Sequence, residues 1–255
     1  MRVPKLTLTV IARDEAHHIE DALASVRWAD EIVVVDSGST DGTAEMARRF
    51  TDRVIVREWP GYAAQKDFAA SSAAHDWILS VDADERVSPD LAAEIRKVLQ
   101  SEPREAAFRI PRMTRHFGRW LRTTDAYPDY QIRLYDRRRA RWKPLDVHES
   151  VAADGPVGTL RHDLLHDGGE TIAERKDKLR HYAKLSAREM HRRGRRGGAL
   201  AKLLHPPAAF LRSYVLRRGF LDGAAGLRVS ALQAYYVYLK FAYLEDEKRA
   251  AGSAR

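Results

Sequence analysis

Cysteine is absent from the 255 residues, and its absence excludes several kinds of site at once. Without thiols there is no disulfide framework, no thiolate zinc site and no cysteine nucleophile, so the fold must depend on packing alone. The Gly-x-x-x-x-Gly-Lys and Gly-x-Gly-x-x-Gly signatures are also missing, so the sequence indicates neither a P-loop NTPase nor an NAD-binding unit. No stretch reaches the roughly 18 uncharged apolar residues that cross a bilayer. The first apolar run, residues 6–12, is too short for a signal-peptide core and is expected to be a strand.

Charge is divided unevenly along the chain. Residues 1–100 contain 12 Lys/Arg and 18 Asp/Glu, a net charge of −6, whereas residues 101–255 contain 32 and 18, a net charge of +14. This division indicates an acidic, metal-using half and a basic half that meets an anionic partner. Phosphorylated sugar, anionic lipid and nucleic acid are all candidates for that partner.

The hydrophobic pattern predicts an α/β fold. The first hundred residues alternate between strands at 6–11, 32–35, 54–56 and 78–81 and helices at 15–26, 43–50, 62–74 and 91–99. Such a series implies a mostly parallel sheet with helices on both faces. Two further strands are predicted at 107–110 and 130–135, and from about residue 171 the pattern is helical to the end. We therefore predict a domain at 1–170 and a basic, amphipathic helical extension at 171–255.

A strand that ends in carboxylates stands out at residues 77–86. Asp82 and Asp84 follow the apolar run directly, and a turn between them would aim two hard oxygen ligands at one Mg²⁺ or Mn²⁺ ion. The alternative is a solvated acidic turn before a helix, with Ser88 as N-cap and Pro89 at the first helical position. Taken alone, the Asp-x-Asp pattern favours the acidic turn.

The context favours a ligand site. Polar clusters follow three of the four predicted strands, at residues 13–15, 36–41 and 82–85. Parallel strands align their carboxyl ends along one edge of a sheet, where ligands of open α/β folds bind. We expect the three clusters to border one crevice.

Several motifs carry a family resemblance. Residues 10–15 (VIARDE), 33–43 (VVVDSGSTDGT) and 79–85 (LSVDADE) resemble the inverting family-2 glycosyltransferases of GT-A fold, a Rossmann-like fold. A bacterial subgroup, the lipopolysaccharide core β-1,4-glucosyltransferases, is similar at residues 58–66, 118–121, 127–131 and 219–223. Two positions depart from the family pattern: Asp14 precedes Glu15 where Asn is usual, and Ser37 follows Asp36 where a second Asp is common.

The resemblance implies a set of donor-binding residues. For the nucleotide sugar, these are Ala12, Glu15, Asp36, Lys66, Asp82 and Ala83. The metal, Mg²⁺ or Mn²⁺, would be bound by Asp82, Asp84 and His148. A lone histidine is more often a plain hydrogen-bonding group, and that alternative applies to His148.

Transfer with inversion also needs a carboxylate that takes the proton from the acceptor hydroxyl. By the resemblance this base is Asp129, which is followed by Arg133; Asp125 is the rival, and a plain turn residue after Pro128 is the alternative. Arg119, Trp120 and Arg133 are candidate contacts to the acceptor or its phosphates, since Arg pairs with phosphate through two hydrogen bonds. The alternative for the basic segments at 112–122 and 137–141 is a solvated surface.

The expected activity is transfer of a hexose, glucose from UDP-glucose, to a lipopolysaccharide core or related cell-envelope glycan. A polyprenyl-phosphate-linked sugar is the second acceptor, and two other classes compete: a nucleic-acid-binding module that uses the basic half, and a catalytically silent membrane scaffold. The C-terminal helices combine apolar faces with basic and aromatic residues, which fits either contact with an anionic membrane or packing on the domain. We expect an enzyme of the bacterial cytoplasm, peripheral on the inner face of the inner membrane, without nucleic acid as a partner.

Overall fold

The structure is a computed structural model that describes residues 3–143, 150–168, 171–195 and 197–253. It divides into two compact units, each built from two segments of chain. Unit 1 comprises Met1–Met113 and Asp129–Asp167, and unit 2 comprises Thr114–Pro128 and Gly168–Arg255. Residues 114–128, expected from sequence in the first domain, are thus part of the same unit as the C-terminal helices.

Unit 1 is organised around one large sheet. Its strands are β1 (Leu6–Ala12), β2 (Glu31–Asp36), β3 (Val54–Val56), β4 (Trp77–Asp82), β5 (Glu85–Val87), β6 (Ala107–His116), β8 (Asp129–Asp136), β11 (Val157–Thr159) and β12 (Leu164–His166). Their order is β3-β2-β1-β4-β8-β6-β12-β5, with β11 on β6. The strands β1 to β4 pair in parallel, as predicted, whereas β8 pairs antiparallel with both β4 and β6.

The register aligns the ends of the parallel strands. Ala12 of β1 lies beside Asp36 of β2, and Ile11 lies beside Asp82 of β4. The predicted alignment of the acidic strand ends on one edge of the sheet is therefore confirmed. The strands that carry these ends are buried along almost their whole length, as expected of parallel strands covered on both faces.

Helices α1 (Ile19–Ala24), α2 (Thr43–Ala47), α3 (Tyr62–Ser71) and α4 (Pro89–Gln100) follow β1, β2, β3 and β5. Helix α4 begins as the sequence predicts: the Ser88 hydroxyl accepts a hydrogen bond from the Leu91 N–H at 3.2 Å, and Pro89 is the first helical residue. Its buried residues Leu91, Ile95 and Leu99 recur every four positions and therefore face the core together.

A second, two-stranded sheet pairs β9 (Ala140–Lys143) with β10 (Ser150–Ala153). Trp142 of β9 is buried and donates from Nε1 to the Tyr135 hydroxyl at 3.0 Å. The sequence pattern missed β5 and the strands after β8, which have only three or four residues each and carry little periodic signal.

Unit 2 consists of three helices and a hairpin. The helices are α5 (Ile172–Arg192), α6 (Ala199–Leu211), continued by a π-helical turn at Arg212–Leu216, and α7 (Gly223–Ser253), which follows a 3-10 turn at Gly219–Asp222. Residues 114–116 at the end of β6 pair back on β7 (Arg119–Trp120) through a turn in which Phe117 and Gly118 have positive φ. The basic segment at 112–122 therefore contains a β-hairpin.

Hydrogen bonds from two neighbouring threonines help to join the hairpin segment to the helices of unit 2. The Thr124 N–H donates to the Arg217 carbonyl at 3.1 Å, and the Thr123 hydroxyl donates to Asp222 at 2.5 Å. Within the described part of the chain, no helix combines the length and the apolar character needed to span a bilayer.

Candidate active site

Asp36, at the end of β2, is buried and stabilises the turn that follows it. Its Oδ2 accepts hydrogen bonds from the backbone N–H groups of Gly38 (3.0 Å) and Ser39 (2.9 Å), and its Oδ1 accepts from the Ser39 hydroxyl. Short Asp side chains bend the chain in this way because they replace a backbone carbonyl. The nucleoside contact expected of Asp36 would therefore be made by a carboxylate that is already fixed.

The ends of β1 and β2 contact one another directly. The Asp14 N–H donates to the Ser39 hydroxyl at 2.9 Å, and the Glu15 N–H donates to the Thr43 hydroxyl at 2.8 Å. Asp14 has a positive φ of 53°, a conformation that Asp and Asn tolerate better than most residues. Ala12 is buried at the base of this edge, so the expected donor residues Ala12 and Glu15 lie on adjoining parts of it.

Asp82 lies between two buried cations. The Lys66 ammonium, from α3, lies 2.8 Å from Asp82 Oδ1, and Arg133 of β8 donates from Nη2 to Asp82 Oδ2. Lys66 also lies over the Trp142 ring, 4.7 Å from its centroid, as in a cation–π contact. The structure thus brings together the predicted residues Lys66, Asp82 and Arg133.

These two cations determine the ionisation of Asp82. Burial alone would raise the pKa of this carboxyl, but Arg133 and then Lys66 outweigh burial and hold the pKa well below its usual value of 3.8. Conversely, burial opposes the charge on Arg133, and Asp82 and Glu85 raise its pKa. Asp82 and Arg133 are therefore both charged at neutral pH.

Glu85, for which the sequence suggested no distinct function, joins two arginines. Its side chain is completely buried, and Oε1 accepts from Arg133 Nη2 at 2.7 Å and from Arg112 Nη1 at 3.3 Å. The other oxygen, Oε2, accepts from the backbone N–H of Asp82 at 3.0 Å. A buried carboxylate is stable only when its oxygens are paired in this way.

The second arginine positions Asp129. Arg112 of β6 donates from Nε (3.0 Å) and Nη2 (2.7 Å) to Asp129 Oδ2, and Gln131 Nε2 donates to Oδ1 at 2.7 Å. The register of β6 and β8 places Arg112 directly opposite Asp129. The Asp129 side chain is 36% exposed, so a hydroxyl group can reach it.

These contacts form one continuous series of alternating charges, which we call the ion-pair chain. It runs in the order Lys66, Asp82, Arg133, Glu85, Arg112 and Asp129. All six side chains belong to unit 1. The ion-pair chain therefore connects the carboxylate at the end of β4 to the predicted base on β8 without leaving unit 1.

Asp84 is the second carboxylate of the Asp-x-Asp motif. Its side chain is 31% exposed, and its Oδ2 lies 3.1 Å from His166 Nε2 at the end of β12. Ala83, between the two aspartates, is buried. The two carboxylates of the motif therefore have different neighbours: Asp82 contacts buried cations, and Asp84 contacts a histidine.

The donor set at Asp84 fits a divalent cation in part. A carboxylate oxygen and an imidazole nitrogen suit Mn²⁺, and diphosphate oxygens and water are the usual remaining ligands of Mg²⁺ and Mn²⁺. Among the residues described in the structure, no group of three or more His, Cys, Asp or Glu side chains is arranged to hold a metal. His148, the histidine predicted as a ligand, lies outside the described residues.

The remaining predicted residues occupy different positions. Arg119 and Trp120 lie on β7 in unit 2, where Arg119 pairs with Asp222 at 3.5 Å. Asp125, the rival base, also belongs to unit 2 and pairs with Arg212 at 3.0 Å. Arg133, a predicted acceptor contact, is instead buried beneath Asp82 and Glu85, because their charges pull its guanidinium inward.

Comparisons with known proteins identify the class to which this fold and site belong. Residues 7–154 match the glycosyl transferase family 2 model over more than half of the chain, and the protein belongs to this family. It is therefore a glycosyltransferase. The mannosyltransferase PcManGT from Pyrobaculum calidifontis, solved in complex with GDP-Man and Mn²⁺, superposes with a TM-score of 0.57 at 18% identity, covering 97% of this chain and 89% of that one. This likeness confirms the GT-A fold.

Curated relatives extend over almost the whole chain. The lipopolysaccharide core biosynthesis glycosyltransferase LpsC of Rhizobium meliloti (strain 1021) is 30% identical over 246 residues, which are 93% of this chain and 91% of that protein. An uncharacterized glycosyltransferase of Rickettsia bellii (strain RML369-C) is 30% identical over 254 residues, 95% of this chain and 86% of that protein. The protein thus has a lipopolysaccharide core biosynthesis homologue.

Proposed function

We propose that the protein transfers a hexose, glucose from UDP-glucose, with inversion to the core of lipopolysaccharide or a related cell-envelope glycan. The observation that carries this proposal is the ion-pair chain, because it holds a donor-side carboxylate and an accessible acceptor-side carboxylate in one fixed arrangement. The printed function of LpsC supports the choice of acceptor. The enzyme class and the fold do not depend on this finer assignment.

On the donor side, Asp84 and His166 would hold Mg²⁺ or Mn²⁺. When bound, the cation neutralises charge that develops on the leaving diphosphate. Ion pairs to the buried Lys66 and Arg133 hold the Asp82 carboxylate in place at the same edge of the sheet. The nucleoside is expected along Ala12, Glu15 and Asp36, beside the turn that Asp36 stabilises.

On the acceptor side, Asp129 is the base. As the acceptor oxygen bonds to the anomeric carbon and the sugar–phosphate bond breaks on the opposite face, Asp129 takes the hydroxyl proton. Arg112 and Gln131 hold its carboxylate from two sides and leave it partly exposed. Because Arg112 is also bound to Glu85, the base is oriented by groups that do not contact the acceptor.

Donor binding can be tested by calorimetric titration with UDP, GDP and UDP-sugars, each with and without Mn²⁺. We expect UDP-glucose to bind in the presence of Mn²⁺. In Asp84→Ala, the gain in affinity that Mn²⁺ provides should be lost. Glu45→Gln is the control, because Glu45 is an exposed acid that pairs with Arg48. If no nucleotide binds with the metal present, the proposal fails. If GDP binds more tightly than UDP, the donor would be reassigned to a GDP-sugar.

The base can be tested with a matched pair of substitutions. Asp129→Asn should retain UDP binding and lose transfer by about 10²-fold or more, the size of a general-base contribution. Asp125→Asn, the same change at the rival aspartate in unit 2, should retain transfer. Loss of turnover in Asp125→Asn with full turnover in Asp129→Asn would assign the base to Asp125.

The acceptor and the stereochemistry need separate assays. Core oligosaccharide and a polyprenyl-phosphate-linked sugar should be offered with UDP-glucose, and the anomeric configuration of the product read by NMR. We expect transfer to the core oligosaccharide with a β-linked product. Transfer to the polyprenyl-phosphate sugar alone would reassign the acceptor, and an α-linked product would exclude inversion.

A further inference from the structure

Helix α6 and the π-helical turn after it expose an apolar surface instead of a polar one. Six of its aliphatic side chains are about half exposed or more, from 49% at Val215 to 75% at Leu216, and we call these six side chains the leucine face: Leu200, Leu203, Leu204, Leu211, Val215 and Leu216. Most are three or four residues apart, a spacing that places them on one side of a helix. Helices on the surface of a globular protein usually turn polar residues outward.

The other side of α6 explains why these leucines are not buried. Ala201 and Ala209 pack against a cluster on α7 that includes Phe241 and Leu244, and Ser213 of the π-helical turn is fully buried. The helix therefore has two apolar sides, and α7 covers the one with small side chains. The large side chains of the leucine face lie on the uncovered side.

The stretch of sequence that contains the leucine face carries charge of a single sign. From Met190 to Leu221 the sequence contains eight Lys and Arg residues and no Asp or Glu. Arg212 and Arg217 follow α6 with side chains 56% and 57% exposed, and they share one carboxylate, Asp125, at 3.0 Å and 3.9 Å. Arg218 is exposed beside them, so the three arginines outnumber this acid. Farther along the chain, Phe220 and Leu221 of the 3-10 turn are again exposed apolar residues.

We propose that the leucine face, with Arg212, Arg217 and Arg218, docks on the surface of an anionic lipid bilayer. Leucines would enter the boundary between headgroups and acyl chains, and the arginines would meet lipid phosphates. A second copy of this chain fits less well, because a symmetric contact would bring the arginines of both copies together. Basic residues that border an apolar patch are instead complementary to anionic headgroups.

The surface lies within unit 2 and is separate from the residues of the ion-pair chain, so this inference goes beyond the transfer reaction. It narrows the membrane contact expected from the sequence for residues 171–255 to α6 and the turns that follow it. Helix α5 is not included, because its exposed face mixes acids with bases, as in the pairs of Glu189 with Arg192 and Arg193.

The lack of native cysteine permits a direct test of which residues enter lipid. Single-cysteine variants Leu203→Cys, Leu211→Cys and Leu216→Cys, labelled with an environment-sensitive dye, should shift to shorter emission wavelength on vesicles of phosphatidylcholine and phosphatidylglycerol. Labels at Ile172→Cys and Tyr182→Cys, at exposed positions on α5, should not shift. A shift at α5 without a shift at α6 would overturn the assignment.

Vesicle co-sedimentation of the full chain tests how much the leucine face contributes to the affinity for membranes. The triple variant Leu203→Gln, Leu211→Gln and Leu216→Gln should bind phosphatidylglycerol-containing vesicles about tenfold more weakly or worse, since apolar burial drives interfacial binding. Replacing both Arg217 and Arg218 by Gln should remove the preference over pure phosphatidylcholine and the sensitivity to salt.

A control triple variant changes three exposed apolar residues elsewhere, each 41–42% exposed: Val157→Gln, Ile172→Gln and Tyr182→Gln. This control should bind vesicles like the wild type, and equal losses in both triple variants would overturn the proposal. Light scattering addresses self-association: a wild-type dimer that the leucine variants convert to a monomer, without vesicle binding, would also overturn it. Both triple variants should bind UDP with Mn²⁺ as the wild type does, so this test stands apart from that of the transfer reaction.

Discussion

Replacing Glu85 with Gln removes one negative charge from the centre of the ion-pair chain while it preserves the size of the side chain. Glu85 Oε1 accepts from both Arg133 and Arg112, and Oε2 accepts from the N–H of Asp82. All of these partners are donors. A glutamine amide has one oxygen and one NH₂ group, so either orientation places NH₂ against a donor.

The loss of stability expected for Glu85→Gln follows from the burial of Glu85 and Arg133. Glu85 is fully buried and Arg133 is 4% exposed, so water cannot replace the lost partner. Removing one member of a buried ion pair typically costs about 3–5 kcal/mol in the free energy of unfolding. For a chain of this size each kcal/mol lowers Tm by about 2–4 °C, so we expect Tm to fall by roughly 6–20 °C.

Thermal unfolding followed by circular dichroism measures this effect, with Glu45→Gln as the control. Glu45 is an exposed acid in an ion pair with Arg48, and such pairs contribute about 0–1 kcal/mol. At a temperature where Glu85→Gln remains folded, kcat should also fall, because Arg112 no longer has its second anchor beside Asp129. A Glu85→Gln variant with the Tm of Glu45→Gln would refute the role assigned to Glu85.

Three further outcomes are expected. Gly226→Ala should destabilise unit 2 by about 3 kcal/mol, because an added Cβ would lie 1.9 Å from the Gly219 carbonyl oxygen, whereas Gly198→Ala, with no atom within 4 Å, should change Tm little. Ion pairing depresses the folded-state pKa of Asp82 below 3.8, so the stabilisation that these ion pairs provide is complete above pH 3.8 and declines as the pH falls below it. An acid titration of the free energy of unfolding should show this decline, and in Asp82→Asn the decline should be absent. His166→Ala should weaken Mn²⁺ binding in the presence of UDP by about tenfold or more, measured by calorimetry, and unchanged affinity would exclude His166 as a ligand.

Local patterns made much of unit 1 predictable. The parallel strands are apolar at most positions, and Ser88 and Pro89 are a helix start signal contained within two residues. The position of Asp82 at a strand end followed from the same local reasoning. The meeting of several strand ends at one edge of the sheet could then be predicted, because parallel strands align their carboxyl ends whichever residues are in contact.

The contacts of the site were less predictable because they join distant parts of the chain. Glu85 lies 27 residues from Arg112 and 48 from Arg133, and Asp84 lies 82 residues from His166. His166 ends a short apolar run at 164–166, the same signal that identified Asp82, but a three-residue strand gives it little weight. Arg133 was placed at the acceptor because the sequence does not reveal that two carboxylates neutralise it inside the fold.

The discontinuous make-up of unit 2 has a consequence for how the chain reaches its native state. Thr123 and Asp222, which share a hydrogen bond, are 99 residues apart, and the Thr124 partner at Arg217 is almost as distant. During synthesis, the contacts of Thr123 and Thr124 with Asp222 and Arg217 can therefore form only after about a hundred further residues have been made. Closing so long a loop costs little extra free energy but slows folding, so unit 2 should mature last.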